Sequence, residues 1–178
     1  MENKYQDKIG TVMITQEEIQ QRAQELGAQI TEDFAGEEVL VVGILKGAVL
    51  WMADIVKNIK LDCAIDFMAC SSYGASTKTS GVVRILKDLD TSIEGRNVII
   101  VEDIVDSGIT LKYLRQNLEG RKPKSIKICS LLDKPSGRST ELEADYVGFT
   151  VEDKFIIGYG LDFDQKYRNL PYISYLES

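Results

Sequence analysis

The sequence predicts a parallel α/β fold, and three observations carry that prediction. Continuous apolar, β-branched runs recur at 39–45 (VLVVGIL), 98–101 (VIIV) and 125–132 (SIKICSLL), each too uniformly apolar for a strand with one wet face. Stretches with helical apolar spacing alternate with these runs, and strand–helix alternation favours parallel pairing. The chain has 178 residues, 44% apolar and 28% charged, the size and composition of one globular domain.

The elements follow in order. Thr15-Gln16-Glu17-Glu18 is a capping box, with a hydroxyl at the cap and a carboxylate three residues on. It opens an amphipathic helix over 16–34, whose apolar stripe is Ile19, Ala23, Leu26, Ile30 and Phe34. The run 39–45 reads as a strand covered on both faces, broken by Lys46-Gly47, and 48–58 has a helix-like pattern. Residues 61–71 form a further strand. Residues 72–81 (SYGASTKTSG) are small and polar without apolar periodicity, which predicts a mobile loop. A short strand is expected at 82–86. The strand at 98–101 leads through a carboxylate cluster into a helix over 109–118, with Leu111, Leu114 and Leu118 on one face. After the strand at 125–132, shorter strands are expected at 146–149, 155–159 and 172–176. No repeat or low-complexity tract is present.

Composition excludes several function classes. The formal net charge is −7, from 21 Lys+Arg against 28 Asp+Glu, with no basic run, so a nucleic-acid partner is not expected. The longest apolar runs fall short of the roughly 20 residues of a membrane span, and residues 1–8 carry no signal-peptide core. The 3 cysteines, Cys63, Cys70 and Cys129, are widely spaced and odd in number. They read as small core residues in a reducing, cytoplasmic setting. There is no histidine, which removes the commonest general base and transition-metal ligand. The chemistry falls to carboxylates, lysine, backbone amides or a hard cation.

That chemistry concentrates in 98–114, VIIVEDIVDSGITLKYL. A buried strand runs out into the adjacent carboxylates Glu102 and Asp103. A turn follows with Asp106, Ser107, Gly108 and Thr110, and then a helix begins. Ligands of open α/β sheets bind at the carboxyl ends of strands, where a helix N-terminus offers free N–H groups to an anion. Gly108 lets backbone approach a phosphate, and the hydroxyls add donors. The acidic pair suits sugar hydroxyls or Mg²⁺ better than a bare phosphate. Together they read as a sugar-phosphate site.

At this segment the chain resembles the type I phosphoribosyltransferases, whose binding signature for phosphoribosyl pyrophosphate VIIVEDIVDSGIT matches in its key positions. Within that family it is similar, from about residue 14 to 176, to the bacterial hypoxanthine-guanine branch. The supporting stretches are GILKGAVLWMADI at 43–55, SSYG at 71–74, LLDKPSGR at 131–138 and VGFTVEDKFIIGYGLDFDQKYRNLPYI at 147–173. The resemblance implies one phosphoribosyltransferase domain over 1–178. Its fold would be a twisted, mainly parallel sheet flanked by helices, with a small hood made from the two chain ends. It also implies Mg²⁺-dependent purine salvage: hypoxanthine or guanine plus phosphoribosyl pyrophosphate giving IMP or GMP plus pyrophosphate. Relatives form homodimers or homotetramers.

Carried over by position, the resemblance implies these roles. Glu102 and Asp103 bind the ribose hydroxyls, directly or through Mg²⁺, and Asp106 is the acid/base group near purine N7. Ser107, Gly108, Ile109 and Thr110 hold the 5′-phosphate, with Ile109 supplying no cation where some relatives have Lys or Arg. Lys46 and Gly47 bind pyrophosphate, often with a non-proline cis peptide after Leu45. Lys134 contacts the purine 6-oxo group, Phe155 stacks on the base, and the Ile156 backbone reads its Watson–Crick side. Asp162 touches a second Mg²⁺ and Arg168 the pyrophosphate. Ser72 and Tyr73 belong to a loop that closes over the reaction.

Each role has a plainer counterpart. Lys134 reads equally as a solvated lysine, Phe155 as core, Arg168 as half of a surface ion pair and Asp162 as a turn cap. Two other functions compete. A regulator that senses the donor and binds nucleic acid would not need the Lys134, Phe155 and Asp162 set. An adenine or pyrimidine transferase would not need a lysine suited to a 6-oxo acceptor.

Overall fold

The structure is a computed structural model that describes residues 9–72 and 83–177. The chain start and the loop residues from Tyr73 onward therefore lie outside the described residues. Six strands form one sheet in the order β3-β2-β1-β4-β5-β6. They are β1 (Val39–Leu45), β2 (Cys63–Ser72), β3 (Val83–Lys87), β4 (Asn97–Val105), β5 (Ser125–Asp133) and β6 (Tyr146–Thr150). All neighbours pair in parallel except β2 and β3, which pair antiparallel with a register shift between Ala69 and Cys70.

Helix α1 (Gln16–Asp33) begins as the capping box dictates: Thr15 Oγ1 accepts from the Glu18 N–H at 3.2 Å, and the Thr15 N–H donates to Glu18 Oε2 at 2.7 Å. Its stripe of Ile19, Ala23, Leu26, Ile30 and Phe34 is buried. With α2 (Val49–Asn58), which buries Trp51, Met52 and Ile55, it covers one face of the sheet against Val39, Val41, Ile99, Val101 and Leu131. The opposite face, with Leu40, Val42, Val98, Ile100 and Ile128, packs on Leu111, Leu114 and Leu118 of α3 (Ile109–Glu119). The alternation of odd and even residues along β1 and β4 makes two cores from one sheet. Tyr113 points the other way on α3 and stays exposed.

Two regions depart from the sequence expectation. β4 does not end at Val101; its ladder with β5 runs on to Val105 opposite Asp133, so the two carboxylates sit inside the strand. The segment expected as a strand over 155–159 keeps only β7 (Ile156–Ile157), antiparallel to β8 (Ser174–Tyr175). Beyond it Gly158, Tyr159 and Gly160 all take positive φ, which no strand tolerates. The β7-β8 pair is joined by the N-terminal segment through bridges Ile9–Leu176 and Ile14–Ile173, so the two chain ends meet beside the sheet.

Burial of Trp51 at 0% exposure makes it the largest side chain of the α1–α2 core. Trp51→Ala should cost about 3–5 kcal/mol of stability, read as a lowered urea midpoint. Circular dichroism is the suitable probe, because Trp51 is the 1 tryptophan of the chain. An unchanged midpoint would show that the core does not close on this ring.

Candidate active site

β1 pairs with β2 on one side and with β4 on the other, so the carboxyl ends of β1 and β4 flank the point where strand order reverses. Open α/β sheets leave a crevice there. β1 delivers Lys46 and Gly47 into it, across a cis peptide between Leu45 and Lys46. β4 delivers Glu102 and Asp103. The two strand ends touch: a Cβ on Gly47 would collide with the Asp103 carboxylate, and a Cβ on Gly160 with the Gly47 carbonyl. Gly47 thus has to be glycine because a neighbour's side chain occupies the space. Gly160, at φ +102, is confined by backbone as well as by conformation.

Beyond β4, Asp106, Ser107 and Gly108 form a turn whose Gly108 takes φ +78 as the N-cap of α3. A cleft of about 210 Å³ is lined by Glu102, Asp103, Asp106, Ser107, Gly108 and Thr110 among others. Ile109 is the first residue of α3, and its N–H lies 3.4 Å from Ser107 Oγ. The turn therefore offers backbone N–H groups, two hydroxyls and no side-chain cation of its own.

Lys134 follows β5 and returns to this turn. Its ammonium lies 2.9 Å from Asp153 Oδ1 and 3.8 Å from Asp106 Oδ2. Bonding to Asp153 in the first place, and the Asp106 charge, hold its pKa above the ordinary lysine value, so it is a permanent donor. The side chain is 14% exposed, which removes the reading of a solvated surface lysine. Phe155, by contrast, is 54% exposed. Its ring meets Phe163 edge to face, centroids 5.5 Å apart at 88°, leaving a face free for an aromatic ligand. Ile156 follows it, buried in β7.

The third group comes from the loop 158–168. Arg168 pairs with Asp162 at 2.8 Å and donates to the Gly160 carbonyl at 2.6 Å. The ion-pair reading of Arg168 is thus correct for the free protein, with Asp162 as partner. Gln165 ties the loop to β1: its Oε1 accepts from Lys46 Nζ and from Arg168 Nη2, both at 3.3 Å. Two cations 122 positions apart in sequence (168 minus 46) are gathered on one amide oxygen.

Electrostatically the crevice is uneven. Burial pushes the Glu102 carboxyl well above its usual range, and the Asp103 charge adds to that. Burial raises Asp103 too, outweighing the Ile104 N–H and the Arg168 charge. Both carboxylates keep a partial opening to solvent, yet their oxygens lack the water a surface acid enjoys. Such a pair is short of positive partners, which fits a divalent cation or donor hydroxyls. Among the described residues no three acidic, Cys or His side chains converge as a closed metal cage.

Four residues here were not singled out by sequence: Asp153 on Lys134, Gln165 between two cations, Gly160 against Gly47, and Arg138 on the turn. All four lie within the quoted stretches at 131–138 and 147–173, but no local pattern marks their contacts, which join residues distant in sequence.

Residues 13–164 match the phosphoribosyl transferase domain family. A hypoxanthine-guanine phosphoribosyltransferase of Bacillus subtilis is 54% identical over 169 residues, covering 95% of this chain and 94% of that protein. One from Streptococcus thermophilus is 52% identical over the same 95% and 94%. A solved structure of a hypoxanthine phosphoribosyltransferase from Staphylococcus aureus superposes with a TM-score of 0.94 at 46% identity, over 99% of this chain and 96% of that one.

The raised Glu102 pKa has a consequence for stability. Between the unfolded value of 4.5 and the raised native value the folded chain holds more protons than the unfolded one, so stability falls as pH rises through that window. Glu102→Gln stays neutral throughout. In metal-free buffer near neutral pH it should raise the thermal midpoint above that of the native chain. The gain should vanish as pH is lowered toward 4.5. A midpoint difference independent of pH would mean that the shift is not what destabilises the site.

Proposed function

The chain belongs to the phosphoribosyl transferase family and is a purine-salvage phosphoribosyltransferase; we propose that it joins hypoxanthine or guanine to C1′ of 5-phosphoribosyl 1-pyrophosphate, releasing pyrophosphate and IMP or GMP. The observation that carries this reading is the convergence of three unlike groups on one crevice. These are a desolvated acidic pair, a glycine turn at a helix N-terminus, and a largely covered lysine near an open aromatic face.

Each group has a task the chemistry needs. Glu102 and Asp103 accept hydrogen bonds from the ribose hydroxyls. They would also hold one Mg²⁺, and Asp162 would touch a second. When bound, the cation offsets negative charge on the donor's pyrophosphate and on the leaving group. Backbone amides of 107–110, with the Ser107 and Thr110 hydroxyls, take the 5′-phosphate. Lys46, the Gly47 backbone and Arg168 take the pyrophosphate; on donor arrival Arg168 exchanges Asp162 and Gln165 for phosphate oxygens. Bond breaking at C1′ leaves positive charge on the ribose ring and negative charge on pyrophosphate, and fixed cations stabilise the latter at no cost of reorganisation.

The base is held between Phe155, which stacks on it, and the Ile156 backbone, which reads its edge. The Lys134 ammonium donates to the 6-oxo group. As N9 attacks C1′, the ring must lose a proton, and Asp106 is the base near N7 that accepts it. Ser72 and Tyr73, at the border of the described residues, are assigned to the segment that excludes water. The enzyme is further read as a cytoplasmic homodimer or homotetramer. Three free thiols, and the exposed apolar side chains Ile65 on β2 and Leu86 on β3, support this. Among the described residues no helix is long and apolar enough to cross a membrane.

A spectrophotometric assay of each base with Mg²⁺ and the donor tests the reaction; no turnover with any purine would overturn it. Asp106→Asn, nearly isosteric, should bind donor normally and turn over about 10²–10⁴-fold more slowly. Near-normal turnover would reduce Asp106 to a turn residue. A site built to donate to a 6-oxo group rejects a 6-amino group by about 10⁴-fold, so adenine should fail as a substrate. Lys134→Gln, which both donates and accepts, should narrow that gap; equal use of adenine by the native enzyme would refute the Lys134 assignment.

A further inference from the structure

Arg138 grips the glycine turn without lining the cleft. Its side chain is 15% exposed and its guanidinium is committed to backbone. Nε donates to the Asp106 carbonyl at 3.0 Å and Nη2 to the Val105 carbonyl at 3.3 Å, while the Leu142 carbonyl and the Asp133 carboxylate take the remaining donors. The following residues seize the next carbonyl along. The Ser139 N–H at 3.1 Å, Ser139 Oγ at 3.2 Å and Thr140 Oγ1 at 3.4 Å all donate to the Ser107 oxygen. Contact is close enough that a Cβ on Gly108 would meet Thr140 Oγ1 and Arg138 Cδ, and one on Gly137 would collide with the Asp106 carboxylate.

A trans peptide points its N–H opposite to its C=O. Holding the Asp106 and Ser107 carbonyls against 138–140 therefore turns the N–H groups of Ser107 and Gly108 the other way. The cleft is lined by Glu102, Asp106, Ser107, Gly108 and Thr110 and not by 138–140. The same bonds keep two carbonyl oxygens from facing an incoming anion. This orientation matters more here than in a turn with its own lysine or arginine, because Ile109 occupies that position.

We propose that Arg138, Ser139 and Thr140 form a positioning arm that presets the amide directions of the turn 106–108 for the 5′-phosphate. The proposal rests on reading that turn as the phosphate site. GMP and guanosine differ only by the phosphate, so their dissociation constants, measured by titration calorimetry, separate the two ideas. Arg138→Lys keeps a charge facing Asp133 but loses the fork that grips two carbonyls. It should weaken GMP about tenfold, the worth of one charge-assisted hydrogen bond, and leave guanosine within about twofold. Ser139→Ala with Thr140→Val, which leaves the guanidinium untouched, should weaken GMP by about threefold, again without moving guanosine. Equal losses for both ligands, or an unchanged GMP preference in both variants, would overturn the arm and leave the turn as the phosphate site. A native enzyme that binds GMP no tighter than guanosine would overturn the phosphate reading and the arm with it.

Discussion

Two carboxylates held side by side in a poorly hydrated strand end are the constraint around which this molecule is organised. Glu102 and Asp103 lie within β4, a central strand that β1 flanks as far as Val101 and β5 flanks on to Val105. A strand in that position cannot move to relieve the repulsion, and burial denies the pair the water that would screen it. The free protein is left with an unmet demand for cations and hydroxyl donors. A site of this kind is costly to fold and selective in what satisfies it, the usual relation between stability and function at a binding centre.

Close approach is the second consequence. For ligand groups to reach the acidic pair, the neighbouring chain must come near without filling the space. Gly47 lies against Asp103 and Gly160 lies against Gly47. The three positions come from β1, β4 and the loop after β7, so the crevice is a stack of backbones in contact. Lys46 and Arg168 ride on two of those backbones and meet at Gln165. An overall charge of −7 is therefore no obstacle to an anionic substrate: a few cations and oriented amides act at short range, where screening is least.

Rigidity is distributed to match. The acidic pair sits on a central strand, and the turn that follows is clamped by 138–140. The base side is lighter: Phe155 is half exposed and braced by Phe163, while Lys134 is held by Asp153 across a loop. On the proposed assignment, sugar and phosphate would meet fixed groups, and the base groups that can adjust.

Much of this was legible in the sequence, for identifiable reasons. Thr15 and Glu18 cap α1, the VLVVGIL and VIIV runs are central strands, and Leu111, Leu114 and Leu118 face the sheet, because capping, burial and helical period act over a few neighbouring residues. The segment 102–110 announced a sugar-phosphate site by itself, since its acids, glycine and hydroxyls are contiguous. Local pattern failed where partners are remote. The end of β4 was read two turns of the pleat too early, because apolar run length marks burial and the ladder to Asp133 is set by β5. The strand over 155–159 dissolved into positive-φ backbone, because Gly160 has to fit against Gly47. Gln165, Asp153 and the Arg138 grip on Asp106 have no local signature at all. Sequence alone determined the elements and the chemistry of the turn. The tertiary structure decided which cations, carbonyls and glycines meet there, because those contacts join chain positions from 19 to 119 apart (153 minus 134, 165 minus 46).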